Sequence, residues 1–227
     1  MPKMSSDLTR HALSGETMGT RWSALFFDDQ HRSPAPVQAA LQSAVQTVDD
    51  QMSTWKADSD LMQLNRAPVG QWQTVPLDLT RVLTLGLAIG RASGGAFDIG
   101  VGDVVRAWGF GPEAADPQAI SAAIQTARQP AHERLQIDGD RVRKTAPLDI
   151  TLNGIAKGHA VDRMADVLRD HGIRDALVGI DGEMRAMGLR PDGTPWMIAI
   201  EAPEYDRRST RSIVGLHDAA VATSGDY

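Results

Sequence analysis

Two glycine-rich stretches carry the residue types best suited to chemistry. Ser93-Gly-Gly-Ala-Phe-Asp98 sets a flat apolar ring and a carboxylate directly after two glycines. Phe97 can cover the face of an aromatic heterocycle while Asp98 accepts hydrogen bonds from its polar edge. The same residues also suit a plain helix end with a buried phenylalanine and a turn aspartate, and the motif taken alone favours that use. Asn153-Gly154-Ile155-Ala156-Lys157-Gly158 sits where a strand reading gives way to a helix reading. Free amides at a helix start favour anions, and Lys157 adds a full positive charge, a combination suited to phosphate or pyrophosphate. A glycine chosen for close packing and a solvated lysine would look the same.

Other chemistries find little support. The chain has no cysteine, which excludes disulfides, thiolate metal sites and cysteine nucleophiles. Its six histidines lack the spacing of a metal site, and neither Gly-x-Ser-x-Gly nor a P-loop occurs. A net charge of −6, with Lys and Arg scattered, argues against nucleic acid as a partner. Asp49 with Asp50 reads as a solvated helix face, and Trp55, Trp72, Trp108 and Trp196 as core residues. No apolar run is long enough for a transmembrane segment, and the first residues lack the apolar centre of a signal peptide. The expected location is cytoplasmic.

The elements that must position these residues follow from periodicity and punctuation. Residues 1–14 read as a loose N-terminal segment and Thr17 to Phe27 as one strand, with a turn at Asp28-Asp29-Gln30. Val37, Leu41, Val45, Val48 and Met52 fall at helical spacing within Pro36 to Met52. Ser59 can cap a short helix containing Leu61 and Leu64. A second long helix runs from Asp78 to Ala92 and stops at Ser93-Gly94-Gly95. Asp116-Pro117 reads as an N-cap with proline at the first helical position. Leu135 to Arg143 forms a hairpin turning at Asp138-Gly139-Asp140. Leu148 to Leu152 reads as a strand, about 155–171 as a helix, and 176–180, 184–189, 196–200, 213–216 and 219–223 as strands. Helices and strands mix without strict alternation, which predicts an α+β fold with mixed or antiparallel sheets and packed helices.

Taken together, the ordered motifs resemble the FAD:protein FMN transferase (ApbE) family from Met18 to Tyr227. The matching stretches are Thr17-Met-Gly-Thr20, Met52-Ser-Thr-Trp55 with Ser59 and Asn65, Ser93 to Asp98 with Trp108-Gly-Phe-Gly111, and Gly154 to Gly158 with Asp162. Gly182-Glu183, Trp196-x-Ile-x-Ile200 and Ala222-Thr-Ser-Gly-Asp-Tyr227 follow in order. The resemblance implies a T-fold-like transferase domain over 15–227 that binds FAD and Mg2+. Such a protein moves the FMN half of FAD onto a threonine or serine hydroxyl of a target flavoprotein and releases AMP. By position, Met18, Trp55, Ala96, Phe97, Asp98, Thr151, Lys157 and Val221 would contact FAD, and Gly154 would offer its carbonyl to the metal. No catalytic side chain is assigned.

Three departures stand out. Thr151 occupies a position that is aspartate in many members, so a contact there lacks charge assistance. Gly179-Ile-Asp-Gly182 replaces the frequent Asn-x-Gly-Gly. The later His-x-x-Asp-Pro-x-Thr-Gly segment, which contributes metal ligands and a possible base, is not in this sequence. The expectation is therefore a C-terminally truncated transferase domain. Its alternatives are a non-catalytic FAD-binding fragment and an FAD hydrolase.

Overall fold

Alternation in one central strand sets the architecture. Trp22, Ala24 and Phe26 are buried, while the alternate residues Leu25 and Phe27 point the other way. A strand apolar on both faces must lie inside a sheet covered on both sides. The computed structural model describes residues 8–28, 33–126, 128–204 and 209–224. Within them the chain begins with β1 (Thr9–Thr17), β2 (Thr20–Asp28), α1 (Ala35–Met52), α2 (Asp60–Arg66), β3 (Gln73–Thr74) and α3 (Leu77–Ala92). It continues with α4 (Gly102–Ala107), α5 (Pro117–Gln125), α6 (Ala131–Arg134), β4 (Leu135–Asp138), β5 (Arg141–Lys144) and α7 (Ala156–Asp170). It ends with β6 (Ala176–Ile180), β7 (Glu183–Met187), β8 (Trp196–Glu201), β9 (Thr210–Leu216) and β10 (Ala220–Ala222).

The chain divides into two units. The first joins Met1–Gln46 with Lys157–Tyr227, and the second is Thr47–Ala156. The first holds a five-stranded sheet in the order β1-β2-β6-β7-β10, every pair antiparallel. Residues 9–14, expected to be loose, form most of β1. They are paired because Thr17↔Thr20 closes a two-residue turn at Met18-Gly19. Both turn residues have positive φ, +49° and +71°, as a type I′ hairpin requires. The single strand expected over Thr17–Phe27 is thus the corner of a hairpin. On one face Trp22 Nε1 donates to Gln42 Oε1 of α1 at 2.8 Å. On the other, Leu25, Phe27, Leu177, Met184 and Val221 pack on a cluster of Ala186, Trp196, Ile198 and Leu216, the last three from the β8–β9 hairpin.

The second unit packs α3 through Leu79, Val82, Leu83 and Leu87, the stripe expected of an amphipathic helix. A three-stranded sheet, β3-β5-β4, lies in the same unit. Ser59 caps α2 by accepting from Met62 N, and Asp116 caps α5 by accepting from Gln118 N, both as expected. Residues 148–152 are not a strand. Their backbone groups are met outside any ladder: Gly102 N donates to Asp149 O, and Thr151 N donates to Ile99 O. Ile150 is bonded through both backbone groups to the Asn65 side chain. The expected turn residues Asp29 and Gln30, and Gly225 to Tyr227 of the last motif, lie outside the described residues.

Candidate functional site

In the second unit, helix α3 delivers the first motif. Ser93 ends the helix, and Gly94 and Gly95 take φ of +61° and +87°, a conformation that turns the chain sharply and strains any other residue. Ser93 Oγ accepts from Phe97 N at 3.1 Å and fixes the loop. Asp98 accepts from Gly100 N at 2.8 Å and from Ala131 N at 3.1 Å, so its carboxylate also braces backbone. Ala96 is exposed and Phe97 half-buried. The buried phenylalanine of the plain helix-end reading is therefore not found.

The second motif meets the first. A Cβ added at Gly154 would lie 3.2 Å from Phe97 Cε2, so the glycine backbone sits against the ring edge. Thr151, only 7% exposed, is tied to Ile99, the residue after Asp98, through Thr151 N to Ile99 O at 2.9 Å. Trp55 stands 63% exposed and Trp108 51%, contrary to the core role expected of them. Trp196 is core as expected, and Trp72 is half-buried with the Arg141 and Arg143 guanidinium groups 5.4 and 4.6 Å from its ring centre. A turn holds Trp55 in place. Ser53 Oγ accepts from Trp55 N, and Lys56 bonds both Asp49 and Asp50 at 2.6 Å. Those carboxylates raise the Lys56 pKa above its ordinary value, and Asp49 and Asp50 are an anchor where a merely solvated face was expected.

Next to Trp55, the Thr54 hydroxyl is buried without a hydrogen-bond partner. It lines a cavity of about 220 Å³ together with Asn65, Arg106, Phe110, Asp149 and Thr151. Arg106 and Asp149 form an ion pair on its wall. A larger cleft of about 780 Å³ is lined by Arg66, Arg106, Arg128, Arg134 and Lys144 against Asp103 and Asp149, and by none of the expected FAD contacts. Thr54, Asn65's bonding and the Arg106–Asp149 pair were not read from the sequence. The partners of Asn65 and Arg106 lie far along the chain, and no local pattern announces them.

The remaining expected contacts fall in the first unit. Met18 is the half-buried, positive-φ residue of the β1–β2 turn. Val221 lies in β10 opposite Met184. Lys157, in the first turn of α7, is bound by Glu183 at 2.9 Å and approached by Asp181 at 3.7 Å. Asp181 holds φ +51° in the two-residue β6–β7 turn. The lysine expected to add its charge to the helix start for a phosphate thus has a carboxylate partner. Its ammonium still has three donors to share.

A sequence profile of the ApbE family matches residues 18–227. The chain belongs to the ApbE family. It is similar to the FAD:protein FMN transferase of Vibrio cholerae serotype O1, 37% identical over 219 residues, covering 95% of this chain and 66% of that protein. The FAD:protein FMN transferase of Klebsiella pneumoniae is 33% identical over 226 residues, with 96% and 65% covered. The chain thus spans just under two thirds of the length of these curated ApbE relatives. Among solved structures, flavin transferase ApbE from Vibrio cholerae superposes with a TM-score of 0.85 at 35% identity, covering 96% of this chain and 72% of that one. The apo form of Pseudomonas stutzeri flavinyl transferase ApbE gives 0.81 at 33%, covering 97% and 70%. The expected α+β, ApbE-like fold is borne out.

For this ApbE-family chain the local geometry fits a flavin nucleotide in part. Trp55 is exposed and Phe97 half-buried, both with flat apolar rings, and Thr54 lines a cavity. A divalent cation fits less well. Gly154 is exposed, but among the described residues no group of three or more His, Asp or Glu could hold a metal ion. No helix there is long and apolar enough to cross a membrane.

Proposed function

We propose that this chain acts as an FAD:protein FMN transferase. In the reaction the phosphoanhydride bond of FAD breaks and the FMN phosphorus bonds a threonine or serine oxygen of a target flavoprotein. The hydroxyl proton passes to a base that we do not assign, and AMP leaves. The observation that carries this reading is the meeting of Phe97 with the Gly154 backbone, which brings two sequence motifs of the family to one place in the second unit.

Each residue's part follows from its chemistry. Phe97 and Trp55 supply flat apolar surface for the ring systems, with Ala96 small enough to leave the approach open. Thr151 and Thr54 offer hydroxyls to a polar group such as a ribose. Asp98 holds the Phe97 loop through backbone amides. Met18 and Val221 add apolar contact, and Lys157 shares its charge between Glu183 and a phosphate oxygen. Mg2+ bound at the Gly154 carbonyl would neutralise pyrophosphate charge, as phosphoryl transfer requires. The rest of the catalysis is positioning: the hydroxyl must lie in line with the leaving phosphate.

The test mixes the protein with FAD, Mg2+ and a threonine-bearing acceptor flavoprotein. Covalent flavin fluorescence on the acceptor with equimolar AMP is expected. FMN and AMP released without acceptor labelling would make the protein a hydrolase, and bound FAD without AMP would make it a binding protein.

A further inference from the structure

The segment 148–154 carries Thr151 and Gly154 yet pairs with no strand. Besides Gly102 N to Asp149 O and Thr151 N to Ile99 O, one side chain holds it. Asn65, the penultimate residue of α2, donates from Nδ2 to Ile150 O at 2.8 Å and accepts at Oδ1 from Ile150 N at 2.8 Å. This pair of bonds is what a neighbouring strand would otherwise provide. The second Nδ2 hydrogen faces Met62 Sδ at 3.8 Å. The Asn65 backbone is fixed in turn, because Lys144 Nζ donates to Asn65 O and the Lys144 side chain is buried. Asn65 lines the same cavity as Thr54 and Thr151. With its carboxamide committed to Ile150 and Met62, it reaches a ligand there through the backbone it holds.

We propose that Asn65 is a positioning residue: its carboxamide sets the 150–154 segment so that Thr151 and Gly154 meet the flavin nucleotide. This rests on the FAD reading above. The requirement is specific. Only a planar group with one donor and one acceptor side by side can bond both groups of one peptide residue. Aspartate keeps the acceptor for Ile150 N but turns a carboxylate oxygen toward Ile150 O.

The experiment measures FAD affinity by flavin fluorescence for the wild type, Asn65→Ala, Asn65→Asp, Thr151→Val and the Asn65→Ala/Thr151→Val double variant. Circular dichroism checks the fold of each, and hydrogen exchange follows residues 148–154. Loss of the clamp is expected to weaken FAD binding about tenfold in either Asn65 variant and to speed exchange at 150 and 151. The double variant should be no weaker than the weaker single one, because both act at one place. Losses that multiply would overturn the proposal by marking Asn65 as a general stabiliser. Binding within about twofold of wild type in Asn65→Ala would overturn it too. Should Asn65→Ala not fold, the near-isosteric Asn65→Asp decides by the same comparison. No FAD binding by the wild type would remove the functional reading and this inference together. Wild-type binding with indifferent Asn65 variants removes the inference alone.

Discussion

Met18 is held at a backbone angle that few non-glycine residues adopt. A position of this kind is under strain, and strain tends to persist where function needs it. An asparagine in its place would suit the type I′ turn. Met18→Asn should raise stability by about 0.5–1 kcal/mol while weakening FAD binding, a trade that a thermal melt and a flavin titration would record together. Gly154→Ala tests the meeting of the two motifs. Its new methyl presses on the Phe97 ring at 3.2 Å, so the ring must move, and FAD affinity should fall several-fold with the fold intact. Lys144 gives a pH signature. Burial holds its pKa below the ordinary 10.5, partly offset by Asp149. Between the lowered and the ordinary value the unfolded chain binds more protons than the folded one, so stability from this group rises with pH. Urea midpoints should therefore move in favour of the wild type over Lys144→Met as pH climbs toward 10.5. A difference between the two that shrinks over that range would contradict the assignment.

Helix α2 depends on a cap that does two jobs. Ser59 Oγ accepts from Met62 N and donates to Ser53 O at 2.7 Å, tying the helix to the Trp55 turn. Ser59→Ala should cost about 1–2 kcal/mol and lower the melting temperature by roughly 2–8 °C in calorimetry. Caps of this sort are local chemistry, which is why α2, α5 and the stop of α3 were legible in the sequence. The hairpin at Gly139-Asp140 was legible for the same reason. The Met18-Gly19 turn was not, because methionine is not a turn residue and its positive φ comes from the pairing of β1 with β2. Residues 148–152 have the composition of a strand and the wrong partner: a side chain 85 positions away takes the place of a ladder. Trp55 and Trp108 are exposed although their type favours burial. The site motifs themselves were legible by resemblance. Their bracing by Asn65 and by Ala131 N is tertiary and left no local trace.

The first unit draws its sheet from both ends of the sequence. Strand β2 pairs with β6 through Trp22↔Ile180 and Phe26↔Ala176, and these partners are all buried. Hydrogen exchange should find β2 and β6 the slowest part of that unit. In β9, by contrast, every residue but Leu216 is exposed, so its amides should exchange early. Protection of β9 equal to β6 would contradict the burial pattern.

That pairing has a consequence for synthesis. When the β1–β2 hairpin leaves the ribosome, the partner of Phe26 is Ala176, far along a chain still to be made. At about 5–20 residues per second, some 8–30 s pass before that partner exists. Through that interval Trp22 and Phe26 sit on a strand with an open edge, while Thr47–Ala156 is completed between them and their partners. The nascent chain is therefore most exposed to misassociation before its second unit is finished. Slowing translation after residue 46 should lower soluble yield more than slowing it after residue 180.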